Sequence, residues 1–203
     1  METLLLARHG FAGSNRDDIA SCAVPGEGLM PEGVEQARAL GGLLTGTEIQ
    51  LAATTELART QETLRIALDG RSVQTIVVPE LNEIDFGTFD GGPLDAYRAW
   101  AASNSPSERA PGGGESRADA AARFARGLRV LLERSEPAVL VVGHALPLRY
   151  VVDAAVGLVP APRMAPVAHA HPFHLGRGDI TRAADVLEAW SASPRFRDPS
   201  MEG

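Results

Sequence analysis

Apolar positions along the chain fall into short continuous runs and longer stretches of helical period, and the two kinds alternate. Thr3 to Ala7 is a largely apolar run that ends at Arg8, His9 and Gly10. Its shortness predicts a buried strand followed by a turn. Gly13 to Gly28 is polar and rich in Gly, Ser and Asp, which predicts a loop, and Pro31 then suits the first turn of a helix. Val34, Ala37, Leu40, Gly41 and Leu44 recur on one face of that helix. Glu48 to Ala53 predicts a second strand, Glu56 to Leu68 a helix with Leu57, Leu64 and Leu68 inward, and Val73 to Val78 a third strand closed by Pro79.

The rhythm breaks between Leu81 and Gly114, where Gly and Pro are frequent. A short helix near Leu94 to Ala102 and a mobile loop at Ser103 to Gly114 are expected there, as an insertion of about residues 88–114 over one end of the sheet. Ala121, Phe124, Ala125, Leu128, Leu131 and Leu132 then mark a long helix from Ser116 to Arg134. Ala138 to Val142 predicts a buried strand stopped by Gly143 and His144, and Leu146 to Val156 another helix. A Pro-rich loop at Pro160 to Pro166, a strand at Val167 to Leu175 and a helix at Thr181 to Trp190 follow, with a tail from Ser191 expected to fray. The expected fold is α/β: one domain over residues 1–203, a three-layer sandwich with a mostly parallel central sheet flanked by helices. Ligands in such folds bind at the carboxyl ends of the strands. Arg8-His9 and Gly143-His144 both fall at such ends.

Composition narrows the function. Apolar residues make up 44% of the 203 positions and charged residues 22%, as in ordinary globular proteins. The longest apolar runs, such as Ala138 to Val142, are far short of the roughly 20 residues a membrane helix needs. The N-terminus shows neither a basic region nor a small-residue cleavage site, so a cytoplasmic location without membrane contact is expected. The lone cysteine, Cys22, excludes an internal disulfide and any multi-cysteine metal site. A net charge of -7 argues against a nucleic-acid partner. An anionic small substrate would therefore need a locally positive pocket, which turns attention to clustered arginines and histidines.

Arg8-His9-Gly10 places a guanidinium and an imidazole at the mouth of the sheet, and Gly143-His144-Ala145 places a second imidazole there. Each alone is compatible with a strand that merely ends in polar residues; the pair favours chemistry. Arg59 falls in the first turn of the helix after the second strand, against the preference of the helix dipole, which suggests a specific anionic partner such as phosphate. A solvated helix-start arginine is the alternative. His169, His171 and His174 have a spacing that superficially suggests a metal site. On a strand, however, 169 and 171 share one face and 174 points the other way, so sheet-end packing or a substrate contact is expected and no metal.

In their order, these segments resemble the histidine phosphatase superfamily, the phosphoglycerate mutase-like proteins. Leu5 to Gly10 with Asn15 resembles the family's opening signature, and Glu56 to Thr63 its second. Leu81 to Gly87 with Asp90-Gly91 resembles the acid-bearing segment, Val141 to His144 the closing histidine motif, and Gly113 to Ser116 a weaker fifth match. The resemblance spans roughly residues 3 to 156.

It implies a metal-independent and cofactor-free phosphoric monoester hydrolase of the histidine acid type, acting on a small phosphorylated metabolite. His9 would attack phosphorus in line and form a phosphohistidine. Arg8, Arg59 and His144 would surround the phosphoryl oxygens, with Asn15 as a neutral donor and Ala145 in the phosphate-binding set. Glu83 would protonate the leaving alkoxide and then activate water. Glu80 and Asp85 compete for that role; the match at Leu81-Asn82-Glu83 favours Glu83, leaving Asp85 as a structural or capping residue and Asp90 as a shorter stand-in for a family glutamate. The resemblance further implies a cationic His144 beside a neutral His9.

Three features depart from the family pattern: Phe11-Ala12 where many members carry a polar pair, Met30 in place of a threonine cap, and the histidine cluster. Mutases of the family carry a basic, aromatic stretch after the acid, whereas Thr88 to Ala96 has no Lys or Arg. That favours a phosphatase over a bisphosphoglycerate-dependent mutase. A protein phosphohistidine phosphatase and a non-catalytic phosphoester-binding module are the other readings, and a homodimer is left open.

Overall fold

The computed structural model describes residues 1–197. Its sheet contains β1 (Thr3–Arg8), β2 (Leu51–Thr54), β3 (Gln74–Val77), β4 (Ala138–Gly143) and β5 (Pro172–Gly176), in the order β3-β2-β4-β1-β5. The first four strands run parallel, and β5 pairs antiparallel with β1 at the edge. The α/β sandwich with a mostly parallel sheet is thereby borne out.

Alternation along the strands sends side chains to two different cores. Leu4, Leu6, Leu51, Ala53, Val139 and Val141 face one layer, and Leu5, Ala7, Ala52, Leu140 and Val142 face the other. Because both sets are apolar, β1 and β4 read as continuous hydrophobic runs rather than alternating ones. The helices, in chain order, are α1 (Gly13–Arg16), α2 (Pro31–Leu43), α3 (Ala58–Ala67), α4 (Leu94–Ser103), α5 (Arg117–Leu132), α6 (Ala145–Ala155) and α7 (Arg177–Ala192). Leu40 of α2 and Leu64 and Ala67 of α3 fill the second core. Residues of α5, α6 and α7 fill the first, with Tyr97 and Ala101 of α4 joining it.

Four local expectations are corrected. The loop after Gly13 contains the short turn of α1, where Asn15 Oδ1 accepts the Ala12 N–H at 3.0 Å and bends the chain. The segment Ser103 to Gly114 is fastened rather than free: Thr88 N–H donates to Pro111 O at 2.8 Å and Ala118 N–H to Pro106 O at 2.9 Å. The strand expected from Val167 begins only at Pro172. Arg8 makes a parallel bridge with His169, the chain reverses at Ala170 with φ +50°, and β5 returns antiparallel. Finally, α7 starts at Arg177 and continues through Ala192. Beyond it Trp190 Nε1 donates to Arg195 O at 2.7 Å and Phe196 packs on the Trp190 ring, so the tail is tied down as far as Arg197. Residues 198–203 of the expected tail lie outside the described residues.

One contact fixes α2 against the turn that follows β1. A Cβ on Gly33 would lie 2.1 Å from Phe11 O, and one on Gly10 would lie 2.5 Å from Gly33 O. Both neighbours are backbone and have little room to give. Gly33→Ala is expected to lower stability by about 2 kcal/mol or more, roughly 4–8 °C in Tm. Thermal denaturation checks it; an unchanged Tm would mean that α2 slides freely past this turn.

Candidate active site

Three sheet elements and one loop bring the candidate residues together at the carboxyl end of the sheet. Arg8 ends β1 and His9 follows it; Arg59 sits in the first turn of α3 after β2; His144 caps α6 immediately after β4. Glu83 follows the 3-10 turn Pro79–Leu81. Arg8, His9, Asn15, Arg59, Glu83 and Ala145 line one cavity of about 600 Å³. His144 lies fully buried beneath it, its ring 5.4 Å from that of His9. Every residue singled out from the sequence for phosphate chemistry is thus in or directly under this cavity.

Hydrogen bonds define the state of His9. Its Nδ1 lies 2.7 Å from Gly10 O. A carbonyl only accepts, so Nδ1 carries the proton and Nε2 keeps its lone pair. That lone pair faces the Arg59 Nε–H at 3.2 Å. The His9 backbone is held by Gly143 O, which accepts its N–H at 2.9 Å, and by His169 Nδ1, which meets its carbonyl at 2.8 Å. Burial first, then the positive charges of Arg59 and Arg8, push the His9 pKa well below its ordinary value. The ring is held neutral at neutral pH, with its Nε2 lone pair unprotonated.

The tautomer of His144 follows by the same reasoning. Arg59 Nη2 approaches its Nδ1 at 3.4 Å, and an arginine only donates. Nε2 therefore carries the proton and gives it to Thr55 Oγ1 at 2.9 Å. Thr55 Oγ1 lies 2.9 Å from Thr60 Oγ1, which in turn donates to Leu57 O at 2.8 Å. The relay runs from the imidazole into the backbone at the start of α3, with both threonines fully buried. Burial, then Arg59, His9 and Arg8, push the His144 pKa well below its ordinary value. The expectation of a cationic His144 is not met by the protein's own charges, because its nearest neighbours are cations and its outward partner is a neutral hydroxyl.

Arg59 is the hub of the arrangement. Besides the two imidazoles it reaches Ser21 O at 2.8 Å through Nη2, which ties the loop before α2 to the site. Arg8 Nη1 donates to Val167 O at 2.8 Å, and its Nε is buried without a partner. Burial lowers the Arg8 pKa to about 10, which leaves it charged at neutral pH. Glu83 forms no ion pair among the described residues; its Oε1 accepts only the adjacent Ile84 N–H at 3.0 Å. Burial raises its pKa, against the opposing pull of that bond and of Arg59 and Arg8. Asn15 spends its Oδ1 on the Ala12 N–H and is among the residues that line the cavity.

Of the alternatives to Glu83, neither Glu80 nor Asp85 lines the cavity, and Asp90, read as a stand-in for a family glutamate, is engaged elsewhere. Asp85 Oδ1 accepts the Gly87 N–H at 2.9 Å and so shapes the turn. Asp90 Oδ1 accepts the Cys22 N–H at 2.8 Å. Burial, assisted by Asp90 and Asp85, pushes the Cys22 thiol up to about 12, which makes it unreactive. His169 touches His9, whereas His171 and His174 are exposed. Among the described residues no group of three or more His, Cys, Asp or Glu side chains is arranged to hold a metal ion. No helix among them is long and apolar enough to cross a membrane.

Sequence reasoning missed part of the wall. Ser14, Ser21 and Arg117 line the cavity, as do Arg98 of α4 and the loop from Pro162 to Val167. The Pro-rich composition of that loop marked a connection and nothing more. Arg117, the first residue of α5, carries no local signal in the sequence that would place it in the wall.

Known proteins share both the sequence pattern and the architecture. The adenosylcobalamin/alpha-ribazole phosphatase of Escherichia coli strain K12 is 39% identical over 87 residues, 43% of this chain and 42% of that protein. A 2,3-bisphosphoglycerate-dependent phosphoglycerate mutase of Sinorhizobium fredii is 35% identical over 132 residues, 60% of this chain and 62% of the relative. The match therefore spans about half the length of these curated relatives. The solved alpha-ribazole phosphatase of Shigella flexneri superposes with a TM-score of 0.74 at 29% identity, covering 85% of this chain and 89% of the other. Residues 4–192 match the family model of the histidine phosphatase superfamily, branch 1, and the chain belongs to that family.

Proposed function

We propose that the protein hydrolyses a small phosphate monoester in two steps through a phosphohistidine on His9. The observation that carries this reading is the His9 ring: Nδ1–H held by Gly10 O, and an unprotonated Nε2 that meets the Arg59 Nε–H at 3.2 Å in an arginine-lined cavity. Attack of Nε2 on phosphorus breaks the ester bond, and positive charge builds on the ring as it does so. The Gly10 carbonyl, already on Nδ1–H, stabilises that charge. Arg8, Arg59, the Asn15 amide and the N-terminus of α6 at Ala145 are disposed to hold the phosphoryl oxygens. A bound phosphoryl dianion would also reverse the field at His144 and favour its protonation at Nδ1, with the Thr55 bond already accommodating Nε2–H.

Glu83, protonated, gives its proton to the departing alkoxide. As the carboxylate it then takes a proton from the water that attacks phospho-His9. The histidine acid-type assignment rests on this pairing of a histidine nucleophile with a separate acid.

The relatives named as alpha-ribazole phosphatases make alpha-ribazole phosphate the first ester to try. A panel of small phosphomonoesters, including it and an aryl phosphate, is to be assayed in excess EDTA. Chelator-resistant turnover is expected. Bisphosphoglycerate-dependent exchange without net hydrolysis would replace this reading by the mutase one, which relatives such as the Sinorhizobium protein keep in view. Neither turnover nor exchange would leave only a binding role.

The threonine relay gives a further expected result. Thr55→Val removes the acceptor of a buried imidazole N–H, which is expected to destabilise the fold by about 1–3 kcal/mol. The activity is expected to fall with it, through misplacement of His144. Denaturant unfolding and kcat measured on the same preparation check both; an unaltered kcat would detach His144 from the chemistry.

A further inference from the structure

Arg117 is a buried cation that the phosphoryl chemistry does not use. It occupies the first position of α5, after Ser116, whose Oγ accepts the Asp119 N–H at 3.0 Å. A positive side chain at that end of a helix is opposed by the helix dipole. It is only 5% exposed, and the carboxylates near it in sequence are engaged elsewhere. Glu115 is held by Arg123 at 2.7 and 2.6 Å, and Asp119 bonds the Ser116 N–H and Arg109. A guanidinium has five N–H donors, and those of Arg117 meet neutral hydroxyls and no carboxylate among the described residues: Nη1 reaches the Tyr150 hydroxyl at 3.2 Å, and Tyr97 is the other partner. The Arg117 Nε is buried without a partner, and Tyr97, whose hydroxyl interacts with the guanidinium, has its ring 5.5 Å from the guanidinium carbon.

This unpaired cation lines the same cavity as His9 and Glu83. Arg98, the neighbouring cation from α4, is already compensated by Asp95 at 2.9 Å and Asp18 at 3.5 Å. A buried ion without a counter-charge is unfavourable unless something supplies one. Tyr97 and Tyr150 pack against its flanks and hold the planar fork in place, which suits two-point recognition of an oxyanion.

We propose that Arg117 forms a second anion subsite, and that the preferred substrate is a phosphomonoester whose alcohol portion carries another oxyanion, a carboxylate or a second phosphate. The phosphoryl group sits at Arg8, His9 and Arg59, and the distal oxyanion pairs with Arg117 beneath α4. This rests on the phosphatase reading and adds a substrate class to it.

The test uses matched pairs that differ only in the distal charge. A carboxyalkyl phosphate is compared with the alkyl phosphate of equal length, and an alkane-diol bisphosphate with the corresponding monophosphate. Wild-type kcat/KM is expected to favour at least one charged member by ten-fold or more, and whichever pair shows it identifies the oxyanion. Arg117→Met is expected to lower kcat/KM for that charged member at least ten-fold more than for its uncharged partner. Arg117→Lys, which keeps the charge without the fork, is expected to fall between. A wild-type ratio near one in both pairs, or a ratio that Arg117→Met leaves intact, overturns the proposal. If Arg117→Met does not fold, the wild-type ratios and Arg117→Lys decide. If no ester is hydrolysed, the phosphatase reading fails separately. The same four compounds then serve as ligands, and the charged members must raise the wild-type Tm more than the uncharged ones for the subsite to stand.

Discussion

His9→Ala is expected to lower kcat by about 10⁴-fold or more, the scale seen when a covalent nucleophile is removed, and to abolish the trapped phosphoenzyme. The fold should survive, because the anchors of this turn are backbone groups: the His9 N–H on Gly143 O, and the Gly10 N–H on Thr63 Oγ1 at 2.9 Å. His144 does not replace it. It lies beneath the cavity, its Nε2 is committed to Thr55, and its Nδ1 faces Arg59. Rapid quench with labelled substrate, followed by acid and base treatment, separates an acid-labile, base-stable phosphohistidine from a phosphoester. Label persisting in His9→Ala, or more than about one per cent of wild-type turnover, would move the nucleophile elsewhere.

Glu83→Gln is expected to act on some substrates far more than others. For an alkyl ester, whose alkoxide must be protonated as it leaves, the loss should be about 10²–10⁴-fold in kcat. For an aryl ester with an acidic phenol it should be small. The pH profile carries the same information. Burial raises the Glu83 pKa, so the acid stays protonated above the usual carboxyl range. Hydrolysis of alkyl esters should fall as pH rises through that raised value. His9 is pushed the other way, so its neutral form persists well below pH 6.5 and the nucleophile is lost only in stronger acid. The optimum for alkyl esters therefore lies between the lowered His9 value and the raised Glu83 value. In Glu83→Gln the falling limb should vanish; its persistence would assign the acid to another group.

Residues whose placement depends only on their neighbours in the chain were legible in the sequence. Arg8, His9 and His144 stand at the ends of apolar runs long enough to be strands, and Arg59 stands in the first turn of a helix that follows one. Strand ends on the same side of a parallel sheet must converge, so their meeting follows from the pattern. Glu83 needed the family resemblance, because Glu80 and Asp85 are also carboxylic acids in the same short segment; only the hydrogen bonds of Asp85 reveal its structural work. The tautomers were out of reach, since they depend on Thr55 and Gly10 approaching from separate elements. So was Arg117, which joins the cavity through the packing of α4 and Tyr150 rather than through any local signal. The run from Val167 to Leu175 misled because its apolar character serves two directions of chain, joined at Ala170.

The position of β1 bears on how the molecule is made. Thr3 pairs with Ala138, roughly 135 residues later, and Leu4 with Leu175 later still. At about 5–20 residues per second, β1 waits on the order of 7–27 s for its parallel neighbour. During that interval Leu4, Leu5, Leu6 and Ala7 have no sheet to join. An apolar segment left unpaired this long is a target for holding chaperones and a hazard for association with other nascent chains. Because Arg8 also donates to the carbonyl of Val167, the cavity cannot be completed until the loop after α6 has emerged.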